Sequence, residues 1–120
     1  MEYVKYIVIG LLILFVISRM IPVKGVNNLS ANEVKPKLKN RNIQFIDVRT
    51  PGEYQNGHVK EFKNIPLHLL KKESSHLKKD KEVVVICQSG NRSMKACRIL
   101  KKQGFNNLTN VRGGISMWRN

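Results

Sequence analysis

Acidic residues are scarce in this chain: 8 Asp plus Glu stand against 22 Lys plus Arg in 120 residues, a formal net charge of +14. Such an excess attracts anionic lipid, nucleic acid or anionic substrates. Aromatic side chains are also few, at 7%. The lysines, at positions such as Lys35, Lys37, Lys39, Lys60, Lys63, Lys71 and Lys72, are spread along the chain and not interleaved with stacking residues. That argues against nucleic acid as the partner. Cysteine is limited to Cys87 and Cys97, which excludes a dense disulfide framework and points to free thiols in a reducing compartment. Ten positions apart, the two lack Cys-x-x-Cys spacing, so no metal site is expected. A chain of this length holds one domain and one accessory segment.

Only one long apolar run is present. Tyr6 to Ile17 reads YIVIGLLILFVI, twelve residues without a charge, and Met20 and Ile21 resume it after Ser18 and Arg19. A transmembrane helix needs about 20 mainly apolar residues, and snorkelling by Lys5 and Arg19 would stretch the usable length. The expectation is a membrane-lipid contact through residues 6–21, with a transmembrane anchor and short linker over 1–26 and a folded domain over 27–120. A run of 12 also matches the apolar core of a signal peptide, but no small-x-small cleavage pattern follows it. Arg19, Lys24, Lys35 and Lys37 all follow the run. Under the positive-inside rule this predicts a single pass with the C-terminal domain in the cytoplasm.

Within 27–120, Ser30-Ala31-Asn32-Glu33 is a capping-box pattern, which predicts a helix from Ala31 to about Lys39, kinked or split at Pro36. Ile43 to Asp47 and Val83 to Cys87 have the β-branched character of buried parallel strands. Helical segments are expected at Pro51 to Gln55, Leu67 to Leu77 and Ser93 to Gln103, the last ending at Gly104. Leu108 to Val111 supplies a further strand, and Ile115 to Arg119 a final turn. Alternating strands and helices predict a small α/β domain with a parallel sheet flanked by helices.

Cys87 falls at the C-terminal end of an apolar strand and is followed by Gln88, Ser89, Gly90, Asn91 and Arg92 before the next helix. Ligands of open α/β sheets bind at that edge. A loop curling around Cys87 can aim backbone N–H groups at its sulfur, and the helix N-terminus adds partial positive charge, so thiolate is favoured over thiol. Gly90 lets the backbone turn, and Arg92 adds fixed positive charge that would welcome an anionic sulfur donor. The plainer alternative is a buried strand-end cysteine packing as a small hydrophobe. The polar, Gly-containing loop ending in Arg weighs against it.

The spacing Cys87-x-x-Gly90-x-Arg92, followed by Ser93, resembles the active-site loop of rhodanese-family sulfurtransferases. Ile46 to Tyr54 (IDVRTPGEY), Gly57-His58-Val59, Asn64-Ile65-Pro66-Leu67, and Gly113-Gly114 with Trp118 resemble the family's other signatures, in order. Glu61-Phe62 departs from the family's usual Gly-Ala before Asn-Ile-Pro. The resemblance implies that Cys87 takes sulfane sulfur from a small anionic donor such as thiosulfate, carries it as a persulfide and passes it to a thiol or cyanide acceptor. It implies Gln88, Ser89, Gly90, Asn91 and Arg92 as the substrate-binding cradle. No cofactor is implied.

Two other functions stay open. Tyrosine-phosphatase-type enzymes place five residues between Cys and Arg; here there are four, which suits sulfur better than phosphate. A non-catalytic docking module at the membrane would be expected to lack the cysteine. Asp47 and Arg49 are expected to brace the loop, and His58 to be structural. Cys97, among Met94, Ala96, Ile99 and Leu100, is expected to face the core. A redox role would be its alternative.

Overall fold

The computed structural model describes residues 2–20 and 24–119. Helix α1 (Glu2–Met20) leads to strand β1 (Val26–Leu29), short helix α2 (Ala31–Val34) and a 3₁₀ segment (Lys35–Lys39). Strand β2 (Gln44–Asp47), helix α3 (Pro51–Gln55) and the two-residue β3 (Lys63–Asn64) follow. Next come helix α4 (Leu70–Glu73), β4 (Val83–Ile86), α5 (Asn91–Lys102), β5 (Leu108–Val111) and a closing 3₁₀ turn (Gly114–Met117).

The split at Pro36 occurs as expected. Ser30 caps α2 through a reciprocal box with Glu33, and Pro36 then converts the continuation to 3₁₀. The helix predicted over 67–77 is corrected. It is one α-turn between two 3₁₀ pieces, Leu67–Leu69 and Ser74–His76, and the Ser74 hydroxyl donates to the Lys71 carbonyl at 3.0 Å. Such local bonds compete with a regular helix.

All strand pairs are parallel, in the order β1-β5-β4-β2-β3. Val83, Val84, Val85 and Ile86 of β4 are all completely buried, because both faces of this central strand are covered. On one face Val83 and Val85 meet Ala96, Cys97 and Leu100 of α5. On the other, Val84 and Ile86 meet Val34, Phe45 and Phe62, with Trp118 edge-on to Phe62 at 5.9 Å. Chain order reverses between β2 and β4, since β3 lies outside β2 and β5 outside β4. Loops leaving the C-terminal ends of β2 and β4 therefore open a crevice between them.

The expected transmembrane helix is not found. Among the described residues no helix is long and apolar enough to cross a membrane. Its uncharged run of twelve spans only about 18 Å at helical rise, against about 30 Å of hydrocarbon. Ile21, the last residue of the expected span, lies outside the described residues. The apolar side chains of α1 are nonetheless exposed, Ile7, Leu11 and Leu14 each by more than 60%. β1 begins at Val26, one residue inside the expected linker.

Candidate active site

The crevice is built from the chain that leaves β2 and the chain that leaves β4. At the end of β2, Asp47 and Arg49 form a buried ion pair, with Arg49 Nη2 2.9 Å from Asp47 Oδ2. The Arg49 backbone N–H also donates to Asp47 Oδ1 at 3.0 Å. Arg49 then reaches outward. Its Nη1 donates to the Glu53 carbonyl at 3.3 Å and to Gln88 Oε1 at 3.4 Å, and its Nη2 to the Gly57 carbonyl at 2.8 Å. One buried guanidinium thus ties three loop segments together. Asn64 Nδ2 adds bonds to the Asp47 and Arg49 carbonyls at 2.9 and 3.0 Å.

Cys87 follows directly on β4 and is fully buried. Its Sγ receives the Gly90 backbone N–H at 3.0 Å. Gly90 can offer that N–H because it holds φ at +105°, a conformation that side chains disfavour. The same residue is the N-cap of α5, whose unpaired first-turn amides lie at the same end. The Cys87 thiol donates to Ser93 Oγ at 3.2 Å. The Ser93 hydroxyl has two acceptors, the Gly90 carbonyl at 3.0 Å and, at closer range, Asn110 Oδ1. Asn110 Nδ2 in turn donates to Asn28 Oδ1 at 2.9 Å. A polar chain, buried at Cys87, Ser93 and Asn110, therefore runs from the cysteine into β5 and β1.

The loop is held from behind by the last turn. Ile115 and Ser116 donate their backbone N–H groups to the carbonyls of Cys87 and Gln88 at 2.9 and 3.0 Å. In front lies a cleft of about 560 Å³, lined by Arg49, Glu53, Asn56, Gly57, His58, Val59, Gln88, Ile115 and Trp118. His58 stacks on Tyr54 with ring centroids 3.7 Å apart, and its Nδ1 lies 2.9 Å from the Tyr54 carbonyl. Gln88 faces the cleft, and Ser89 and Asn91 are exposed.

Arg92 pairs with a carboxylate of the same chain. Its Nη1 and Nη2 donate to Glu53 Oε1 and Oε2 at 2.6 and 2.8 Å, a bidentate pair. The Arg92 guanidinium holds the Glu53 carboxyl down at a pKa of about 2, and Glu53 raises that of Arg92 in return. Cys97 faces the core as expected, and burial pushes its thiol up to about 12, with the nearby Cys87 adding to the rise.

Sequence reasoning assigned no role to Glu53, Ser93, Asn110 or Gly114. Two signals were present: Thr50-x-x-Glu53 is a capping box, and Asn110 is a polar residue within the strand predicted at Leu108 to Val111. Among the described residues no group of three or more His, Cys, Asp or Glu could hold a metal ion.

Residues 30–120 match the family model of the rhodanese-like domain. A sulfurtransferase of Allochromatium vinosum is 35% identical over 94 residues, covering 78% of this chain and 88% of that protein. The putative sulfurtransferase YtwF of Bacillus subtilis is 35% identical over 94 residues, covering 78% and 90%. The crystal structure of a rhodanese-like domain protein from Staphylococcus aureus superposes with a TM-score of 0.72 at 28% identity, covering 78% of this chain and 92% of that one.

Proposed function

The chain belongs to the rhodanese-like domain family, and from that premise we propose that it is a sulfurtransferase that carries sulfane sulfur as a persulfide on Cys87. The observation that carries this reading is the seat of Cys87 Sγ, beneath the Gly90 N–H at 3.0 Å and at the N-terminus of α5. That is where donors are needed when negative charge resides on sulfur.

In the first step the Cys87 thiolate attacks the outer sulfur of a donor such as thiosulfate. A new S–S bond forms at Cys87, the donor's own S–S bond breaks, and sulfite leaves with the electron pair. The persulfide then bears its negative charge on the outer sulfur. In the second step a thiolate or cyanide attacks that outer sulfur and regenerates the Cys87 thiolate. Both steps are displacements at sulfur and need no cofactor. Gln88, Ser89, Gly90, Asn91 and Arg92 form the cradle in this reading; Asp47 and Arg49 brace it, and His58 supports the cleft wall.

We further propose that residues 6–21 contact membrane lipid, with the domain on the cytoplasmic side. The exposure of Ile7, Leu11 and Leu14 supports lipid as what covers α1. From Asn27 onward, 19 Lys plus Arg outnumber 7 Asp plus Glu, obtained by removing Lys5, Arg19, Lys24 and Glu2 from the totals. That excess favours the side of anionic lipid. Protease protection in vesicles of known orientation tests the arrangement: digestion of the domain in cytoplasmic-side-out vesicles is expected, and its protection there would refute the orientation.

The catalytic reading is tested by a Cys87→Ser chain, which should lose sulfur transfer. A cellular phenotype that survives Cys87→Ser but is lost with the whole chain would favour a docking module.

A further inference from the structure

Arg92 meets Glu53 through both of its terminal nitrogens, so its outward fork is filled by a carboxylate of the same chain. The carboxylate is also fixed independently of Arg92. Glu53 is the third residue of α3, and its Oε1 accepts the Thr50 backbone N–H at 3.2 Å and the Thr50 hydroxyl at 3.1 Å. Both side chains of the pair keep about a third of their surface, 36% for Arg92 and 34% for Glu53. Water and small solutes can therefore reach them.

The pair also stands between two openings. Glu53 lines the cleft that holds Gln88 and Arg49, whereas Arg92 lines a second cleft with Thr50, Leu67 and Lys95. Cys87, at the base of the loop, is sealed from solvent.

We propose that Glu53 is an internal competitor of the donor, an anion that occupies the Arg92 guanidinium and must be displaced when an anionic sulfur donor binds. The inference rests on the sulfurtransferase reading for the identity of the donor. A sulfonate-like group presents two oxygens to the fork, as the carboxylate does, and so can replace it. Glu53 thereby weakens binding of every anionic donor and leaves later steps untouched. The alternative role, orienting Arg92 for the donor, has the opposite sign.

The test is calorimetric titration of thiosulfate into the full chain carrying Cys87→Ser, with and without Glu53→Gln. Glutamine keeps the capping box, since it serves at the same helix position, and a thermal melt checks that the fold is retained. Removing an ion pair of this exposure should tighten thiosulfate binding by about three- to fivefold. The gain should vanish when Arg92→Gln is also present. An unchanged or weaker affinity, no binding to either form, or a gain that persists without Arg92 overturns the proposal. Sulfur loading of the unsubstituted chain is measured separately. If Glu53→Gln tightens binding while that chain takes up no sulfur, the transfer reading falls and the internal anion stands.

Discussion

A Cβ placed on Gly114 would lie 2.3 Å from the Cys87 carbonyl oxygen and 2.7 Å from the carbonyl atoms of Gln88. The closing turn packs its bare backbone against the cysteine loop, and its φ of +58° adds a second constraint. Backbone cannot move aside as a side chain can. Gly114→Ala should cost about 2–3 kcal/mol and lower Tm by about 10 °C or more. Gly52→Ala is the control: nothing lies within 4 Å of its Cβ, and the change should be neutral or mildly stabilising. Equal melting temperatures for the two variants would contradict this account of the loop.

Ser93→Ala removes the hydroxyl that accepts the Cys87 thiol and donates within the buried chain to Asn110. Its single proton serves either Gly90 or Asn110 at one time. Losing it leaves Asn110 Oδ1 in the interior without that donor, at a cost of about 1–3 kcal/mol. Urea unfolding should show a lower midpoint with an unchanged slope.

How much of this was legible in the sequence varied with the kind of contact. β2, β4, α3, α5 and β5 were readable because their apolar runs and caps are local. β1 was not: Val26-Asn27-Asn28-Leu29 is half polar, and it is a strand because it pairs with β5. β3 is two residues long, set by its register against Ile46 and Asp47. Cys87 and its loop stood out as a contiguous motif. The Arg92 partner did not, since Glu53 lies 39 residues earlier and reaches it only because β2 and β4 are neighbours. The predicted transmembrane span failed on length, where twelve uncharged residues fall short of a bilayer.

Glu53 gives a signed pH prediction. Its carboxyl is held below the ordinary 4.5, at about 2, chiefly by its hydrogen bonds to Arg92. A depressed carboxylate contributes stability that is present in full above about pH 4.5 and is lost as pH falls through about 2. Because the pair is a third exposed, solvent screening limits that contribution to about 1 kcal/mol at most. The stability difference between the unsubstituted chain and Glu53→Gln should shrink between pH 4.5 and 2 in urea titrations. A difference that grows on acidification would contradict the assignment.

Cys97 should be chemically silent. With its pKa pushed to about 12 by burial, roughly one molecule in ten thousand carries the thiolate at pH 8. Iodoacetamide should label Cys97 only in denaturant, as read by peptide mass. Labelling in the folded chain at the rate of a free thiol would reopen a redox role for this residue.

The central claim is that sulfur rides on Cys87, and intact mass after incubation with thiosulfate tests it most directly. A gain of about 32 Da, one sulfur atom, is expected in the unsubstituted chain and in Cys97→Ser, absent in Cys87→Ser and reversed by cyanide. No gain in any form, or a gain that survives Cys87→Ser, would contradict the account.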